Sequence, residues 1–516
     1  MYTLTATVLL GLSILLFVLR RGFRPSHLPL PPGPRRAWLV GNLFNFPRTR
    51  PWLTFREWCN IHGDLFFIHL PLKPIVIIGS VKVAKELLDN RSNIYSGRPY
   101  SVMLDLINAY WSFAMMPCNS TWRTHRRHFH DYFNRSALPQ YHAIELEETQ
   151  KVLVRMLESP NEAPQHIRNL PGSSIIRIVY GTRTAAELQD YVDLAERGLE
   201  AARKLLVPGA FLAELIPVLR YVPPWLPGGA ARKFAAQYRP AMDELRHRPF
   251  NEVKDALAKG KAVPSIASRL IEELQDEHGN ITEENDHMAG SVSAVAYAAA
   301  ADTTTAAAQA VMVAMAMFPD AQRKAQAELD RVVGHSRLPD FNDLDNLVYV
   351  HAVVLETLRW MPIVPLGLAH HLEADDSYEG YYIPKGTIVI PNIWAMLHNP
   401  EEYPEPETFR PERFLDNDGK PSFSVRDPTT IVFGFGRRVC AGVDFTLGML
   451  KIFAASVLHV YDIQPGVDED GKPVILSSEG SDEAMSSPIT FPRHIKARSP
   501  QSEQLIRDIV LHEGAY

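Results

Sequence analysis

The stretch Phe433-Gly434-Phe435-Gly436-Arg437-Arg438-Val439-Cys440-Ala441-Gly442 limits what this 516-residue chain can fold into more than any other part of it. It is a glycine-rich loop with one cysteine behind two arginines. A run with helical spacing follows at once: Phe445, Leu447, Met449, Leu450 and Phe453. A cysteine where a loop becomes a helix meets unpaired backbone N–H groups and the positive end of the helix dipole. With Arg437 and Arg438 adding positive charge, the surroundings are expected to favour thiolate, the form that ligates metal. The glycines allow a tight turn and close approach to a flat partner. A lone cysteine is commonly just a small buried hydrophobe; five positions fixed in residue type and spacing argue for more.

The spacing Phe-x-x-Gly-x-Arg-x-Cys-x-Gly fits a haem-binding loop with Cys440 as the axial iron ligand, and it resembles the haem-thiolate signature of the cytochrome P450 family. Composition sets the remaining bounds. Length alone suggests several domains, but no interdomain linker is visible beyond the N-terminal segment, so residues 37–516 read as one catalytic domain. A formal charge of −6 gives no basis for nucleic-acid binding. Cys59, Cys118 and Cys440 are odd in number and widely spaced, unlike a disulfide framework, and point to a reducing compartment.

Residues 1–19 carry no charge and are rich in Leu, Val, Ile and Thr, and Arg20, Arg21 and Arg24 follow. Such a run just spans a bilayer. A cleavable signal would have its basic residues before the apolar run and a small-residue site after it. The expectation is a single N-terminal transmembrane helix, with the basic cluster keeping the bulk of the chain cytosolic. The sequons at Asn90, Asn119, Asn134 and Asn280 would then stay unmodified. Residues 20–36, with Pro25, Pro29, Pro31, Pro32 and Pro34, read as a basic, proline-rich hinge, stiff and extended.

Further motifs follow in order. Leu65–His69 and Ile75–Ile78 around a Pro71-Leu72-Lys73-Pro74 turn read as a β-hairpin, and Val81–Leu88 as a helix. Residues 92–120 read as irregular and aromatic. Trp122 and Arg126 share one face of a helix. His125, His128 and His130 nearby read as a solvated basic face rather than a metal site. Residues 208–229 are rich in proline and apolar side chains, a loop or an apolar contact surface. Thr282 caps a helix running to about Phe318, whose middle is Ala298-Ala299-Ala300-Ala301-Asp302-Thr303-Thr304-Thr305. A carboxylate and hydroxyls inside an apolar helix are costly unless bonded or functional. Glu356 and Arg359 can pair along a helix, a weak pattern alone. Tyr378–Ile390 reads as strand, Pro384-Lys385-Gly386 turn, strand. No Gly-x-Ser-x-Gly, Walker loop or dinucleotide fingerprint appears, so electrons must come from a separate protein.

Taken with the cysteine loop, these motifs resemble the membrane-bound cytochrome P450 monooxygenases, most closely fungal ones. The resemblance implies a mainly α fold with a small β region and a haem between two helices. It implies haem b (iron protoporphyrin IX) on Cys440, with Trp122, Arg126, His370, Phe433 and Arg438 also contacting it, and Val364 and Leu366 lining the pocket. Asp302 and Thr303 would position and relay protons. Ala300 departs from the family's usual glycine, which leaves the helix kink open. Arg413 would join Glu356 and Arg359 in a buried structural triad, and residues 208–229 would form a lid beside the bilayer. The implied reaction puts one atom of O2 into a hydrophobic secondary metabolite or xenobiotic. NADPH would act indirectly through NADPH–cytochrome P450 reductase, docking near Arg126, Arg437 and Lys451, at the endoplasmic reticulum membrane. Two rivals are a haem-thiolate isomerase, which would work without NADPH and reductase, and a tethered haem sensor, which would consume no oxygen.

Overall fold

The computed structural model describes residues 27–38, 40–70, 73–181, 184–205, 210–468 and 470–513. The expected anchor at residues 1–19, the arginines behind it and Pro25 lie outside these residues, as do Pro71, Leu72 and Pro208. The chain divides into two compact units, Met1–Tyr100 with Leu366–Ala395 and Phe435–Arg437, and Ser101–Pro365 with Met396–Gly434 and Arg438–Tyr516.

The smaller unit is built on a four-stranded sheet in the order β1-β2-β6-β3. β1 (Leu65–Leu70) and β2 (Lys73–Ile78) form the expected hairpin, Leu65 opposite Ile78. Val76, Ile77 and Ile78 are completely buried, which suits β-branched side chains on a covered pleat. Helix α1 (Pro51–His62) covers the sheet with Phe55, edge-on to Phe66 at 6.1 Å. The proline-rich stretch is tied down: Phe67 N–H donates to the Pro32 carbonyl and Tyr382 N–H to that of Pro29, both at 2.7 Å. Past Val81–Ala84 the expected helix widens into a π-turn, Lys85–Asn90. The turn at Pro384-Lys385-Gly386 joins two strands that belong to different sheets. β3 (His370–His371) pairs with β6 (Ile388–Pro391), which runs parallel to β2, whereas β4 (Asp376–Tyr378) and β5 (Tyr381–Ile383) pair only with each other.

The larger unit is helical. Its helices of interest are α2 (Val102–Leu106), α3 (Ser120–Phe133), α4 (His142–Glu158), α5 (Ala163–Tyr180), α6 (Ala185–Leu205), α7 (Ala230–Ala258), α8 (Glu283–Met317), α9 (Pro319–Val332), α10 (Val348–Trp360), α11 (Val443–Val460) and α12 (Pro500–Glu513). A two-stranded sheet of β7 (Tyr461–Gln464) and β8 (His494–Ala497) completes it. The protein is thus mainly α with small sheets. The region expected to be irregular, 92–120, contains α2 and the turn Ser92–Tyr95. Helix α3 starts at Ser120, because the Asn119 side chain accepts the Trp122 N–H at 2.9 Å and caps it.

α8 runs through the core and packs on α3, α5, α7, α10 and α11. The Thr282 hydroxyl caps it by accepting the Asn285 N–H at 3.2 Å, with Glu283, Glu284 and Asp286 at its positive end. α11 is the one helix among the described residues long and apolar enough to cross a bilayer. It is 67% buried within the protein, so its apolarity serves the core. Residues 210–229 form short 3-10 turns that leave Leu212, Val218, Tyr221 and Trp225 exposed.

Candidate cofactor and active site

The loop before α11 doubles back on itself. Cys440 N–H donates to the Phe433 carbonyl at 2.8 Å, closing the turn, while the Phe433 ring packs against the core. The turn needs its glycines. Gly434 and Gly436 have φ of 82° and 56°, and a Cβ on Gly436 would stand 2.1 Å from the Leu88 carbonyl oxygen.

Cys440 is accessible to solvent, yet enough protein surrounds it to desolvate the thiol. Together these place it in a recess rather than on an outward face. Desolvation pushes the thiol above its ordinary value, while the Gly442 N–H and the Arg126 charge pull it down. The sequence suggested that Arg437 and Arg438 would favour the thiolate. Arg126 does so instead, and burial outweighs it, because a charge loses more by leaving water than one distant cation returns. A thiol in this state becomes a thiolate when a metal cation takes the proton's place.

A cationic shelf lies beside the cysteine. Arg126 Nη2 donates to the Val439 carbonyl at 2.7 Å, tying α3 to the loop. Both Arg126 and Arg438 lie over the Trp122 ring, at 5.8 and 4.6 Å. Arg438 is buried and donates to the carbonyls of Met116 at 2.6 Å and Phe113 at 3.3 Å. Arg126 has no carboxylate partner among the described residues, and desolvation lowers its pKa. A half-buried guanidinium in that position is an anion receptor. Among the described residues no cluster of three or more His, Cys, Asp or Glu could hold a metal ion, so a metal at Cys440 would take that sulfur as its one protein ligand from such groups.

α8 supplies a second accessible surface. It is buried from Met288 to Tyr297 and again from Thr304 to Ala316, and between these two stretches it opens over residues 298–303. Four of those six residues are alanine, leaving a face without bulk. The Thr303 hydroxyl donates to the Ala299 carbonyl at 2.9 Å and that of Thr305 to Ala301 at 2.6 Å. Such back-bonds spend the hydroxyl hydrogen and keep the oxygen as an acceptor. The Thr304 hydroxyl is buried without a partner. Asp302 pairs with Arg203 of α6.

Trp122, Arg126, Asp302, Thr303, Phe433, Arg438 and Cys440 all belong to the larger unit, and His370 to the smaller. His370 is buried on β3, with Nδ1 at 2.8 Å from the Tyr95 carbonyl. Of the basic residues assigned to partner docking, Arg437 is exposed, and Lys451 is half-buried with desolvation lowering its pKa. Sequence reasoning missed Arg203, and no local signal could have found it, because its partner lies on another helix. The triad is present. Glu356 accepts from Arg359 Nε and Nη2, both at 2.8 Å, and from Arg413 Nε at 3.0 Å, and all three residues are buried.

Comparison with known proteins points the same way. The cytochrome P450 family model matches residues 31–480. Cytochrome P450 monooxygenase COX1 of Coprinopsis cinerea is 39% identical over 518 residues, spanning 98% of this chain and 100% of that protein. Monooxygenase eriA of Hericium erinaceus is 40% identical over 483 residues, 93% of this chain and 90% of its own. Monooxygenase ple1 of Rhodocybe pseudopiperita is 38% identical over 480 residues, 93% and 91%. A helical body around one recessed cysteine, matched along nearly its whole length by such proteins, belongs to the cytochrome P450 family and is a cytochrome P450 monooxygenase.

Proposed function

We propose that the protein holds the family's haem through the Cys440 thiolate and uses it to insert one atom of O2 into a hydrophobic organic molecule, a secondary metabolite or xenobiotic. The observation that carries this reading is the recess itself: an accessible but desolvated thiol near a guanidinium that has no carboxylate partner among the described residues. The residues present fit the group. Haem offers an iron for the sulfur and two propionates for cations, and Arg126, whose charge is felt at the sulfur, has capacity to accept one. The bulk-free stretch of α8 at residues 298–303 suits a flat apolar ring.

When bound, the haem supplies the redox chemistry that activates dioxygen, helped by electron density from the thiolate. The chain's own residues do the rest. The Gly434–Gly436 turn aims the sulfur, and the Cys440 N–H bond to Phe433 holds it there. Trp122 stacks with Arg126 and Arg438 and fixes their guanidinium planes at the propionate end. Asp302 holds and passes protons, and Thr303, its hydroxyl hydrogen spent on Ala299, accepts a hydrogen bond at the reacting end.

Electrons come from NADPH through NADPH–cytochrome P450 reductase, with exposed Arg437 part of the docking face. Residues 1–19 anchor the chain at the endoplasmic reticulum with residues 37–516 in the cytosol, and the exposed Leu212, Val218, Tyr221 and Trp225 rest at the bilayer surface. The test is Cys440→Ser in the full chain reconstituted with reductase. Turnover and the thiolate-type carbon monoxide spectrum should both vanish. A variant that keeps either sinks the assignment.

A further inference from the structure

Three helices of the larger unit, α3, α7 and α8, gather basic side chains that the haem does not use. α8 packs on both of the others. Its register against α7 is set at two points. Lys254 pairs with Asp286 at 2.5 Å, and Gly290 lets the Phe250 ring come close, since a Cβ there would stand 3.3 Å from it. Arg246 lies about a turn before Phe250 on α7, and His287 about a turn before Gly290 on α8. His125 of α3 belongs to the same group. The Arg246 charge is felt at His125, His247 and His287, and that of His125 at His287.

The cluster is short of partners. Arg246 is only 8% exposed, makes no hydrogen bond or ion pair among the described residues, and has its Nε fully buried. The two carboxylates whose charge it feels are engaged elsewhere. Asp243 accepts from Asn108 Nδ2 at 2.6 Å and lies 3.5 Å from Arg239, while Asp286 has Lys254. His125, which the sequence put on a solvated basic face, is 2% exposed. Its Nδ1 is 2.8 Å from the Thr121 carbonyl. A carbonyl only accepts, so Nδ1 carries the hydrogen and Nε2 of the neutral ring is a bare lone pair. That Nε2 is buried and without a partner among the described residues. Each such group is costly when nothing answers it. Around these two, His247 and His287 are exposed and His128 is half-buried, so the group borders on solvent.

We propose that Arg246, His125 and His287 form a binding site for a phosphate group, as the free ion or as a phosphate monoester. Phosphate oxygens accept from the Arg246 guanidinium, and the phosphate hydroxyl donates to the His125 lone pair, so that ring need not be charged first. A carboxylate or a sulfate at neutral pH has no hydrogen to give. Desolvation and the neighbouring cations hold His125 and His287 below their ordinary range. A bound anion reverses the repulsion, and each imidazole that then takes a proton becomes one more donor. The titratable and charged groups around the ligand are His125 and His128 of α3, Asp243, Arg246 and His247 of α7, and Asp286 and His287 of α8. His125 adjoins Arg126 in the chain, so the phosphate ties the helix that carries Arg126 to α7 and α8.

The experiment titrates the full-length, haem-loaded protein in detergent with inorganic phosphate or sulfate in a chloride buffer, read by calorimetry and phosphorus NMR. Two or three charge-assisted hydrogen bonds correspond to a Kd of about a millimolar for phosphate. At pH 8 phosphate should bind about five-fold tighter than sulfate, the worth of one hydrogen bond, and at pH 6 the gap should narrow as His125 becomes a donor to either ion. Arg246→Gln should weaken phosphate by about ten-fold or more. His125→Leu should remove the preference over sulfate. His287→Gln, a change at an exposed position that keeps the fold, should weaken binding at pH 6 and leave it unchanged at pH 8. The Soret band and melting profile of each variant report folding, and His287→Gln carries the test if a buried variant does not fold. Vesicles of phosphatidylcholine with and without phosphatidic acid separate the sources: competition with phosphate assigns the site to a lipid headgroup, and none assigns it to the soluble ion or ester. No binding to wild type, or equal binding at pH 6 by wild type, His287→Gln and folded Arg246→Gln, overturns the site. Sulfate as tight as phosphate at pH 8 overturns the choice of phosphate.

Discussion

Arg359 and Arg413 close around Glu356 in a knot without a gap, whereas Arg126 lies beside the Cys440 loop with no carboxylate on it among the described residues. Both Glu356 oxygens are occupied, by Arg359, Arg413 and the Arg410 N–H at 2.8 Å. The remaining guanidinium nitrogens reach backbone carbonyls of Leu397, Pro404, Pro406 and Thr408. Nothing there can accept a ligand. At the recess Arg126 has a carbonyl and, among the described residues, no carboxylate, and the cysteine is accessible. The same side chain therefore serves two ends. Charge fully matched inside the protein fixes a fold, and charge left partly unmatched marks where another molecule completes the site.

The sharpest way to break this comparison is to open the knot. Glu356→Ala would strand two buried guanidinium groups, and a loss of about 3–5 kcal/mol is expected. Little folded, coloured protein should accumulate, and denaturant unfolding against wild type measures the loss. An ordinary melting profile would show that the triad is dispensable.

At the recess the matching change should act on the ligand rather than on the fold. Arg126→Leu removes one charged hydrogen-bond donor, worth about 1.5 kcal/mol, or roughly ten-fold in haem affinity. Haem transfer to an apo-globin acceptor reads this directly, and the melting temperature of the protein without haem should stay near that of wild type. If the two arginine sites gave the same pattern, the division between them would fail.

Glu145 sharpens the contrast from the other side. It is as buried as Glu356 but has no cationic partner among the described residues, and burial pushes its carboxyl up to about 8. The folded state therefore holds a proton that the unfolded chain releases near pH 4.5. Stability from this group is complete below that pH and declines as pH rises toward 8, by about 1.4 kcal/mol per pH unit. Glu145→Gln should flatten that decline, as seen by melting between pH 5 and pH 8. An unchanged slope would mean Glu145 is ionised in the fold.

Much of this was legible in the chain. The β-hairpin reads from its β-branched runs, and the start of α8 from a capping threonine ahead of acids, because strand and cap chemistry are local. The glycine–cysteine loop reads from its spacing for the same reason. Glu356 and Arg359 share a helix face, so their pairing was visible as a weak pattern, while Arg413 entered only through the family resemblance. The loop's arginines misled. Sequence proximity placed Arg437 and Arg438 next to the thiol, but Arg438 turns to Phe113 and Met116, and Arg126 of a distant helix takes the place expected for it.

By itself, then, the sequence determined the local events: which segments cap, twist or coil, and which loop can present a sulfur. Tertiary structure alone decided the partnerships of the charged groups, such as Arg203 with Asp302, and of β6 with β2 rather than β5. The physical reason is range. Backbone propensity and capping act over a few residues, whereas the balance of desolvation against pairing for a buried charge depends on every group that folding brings around it.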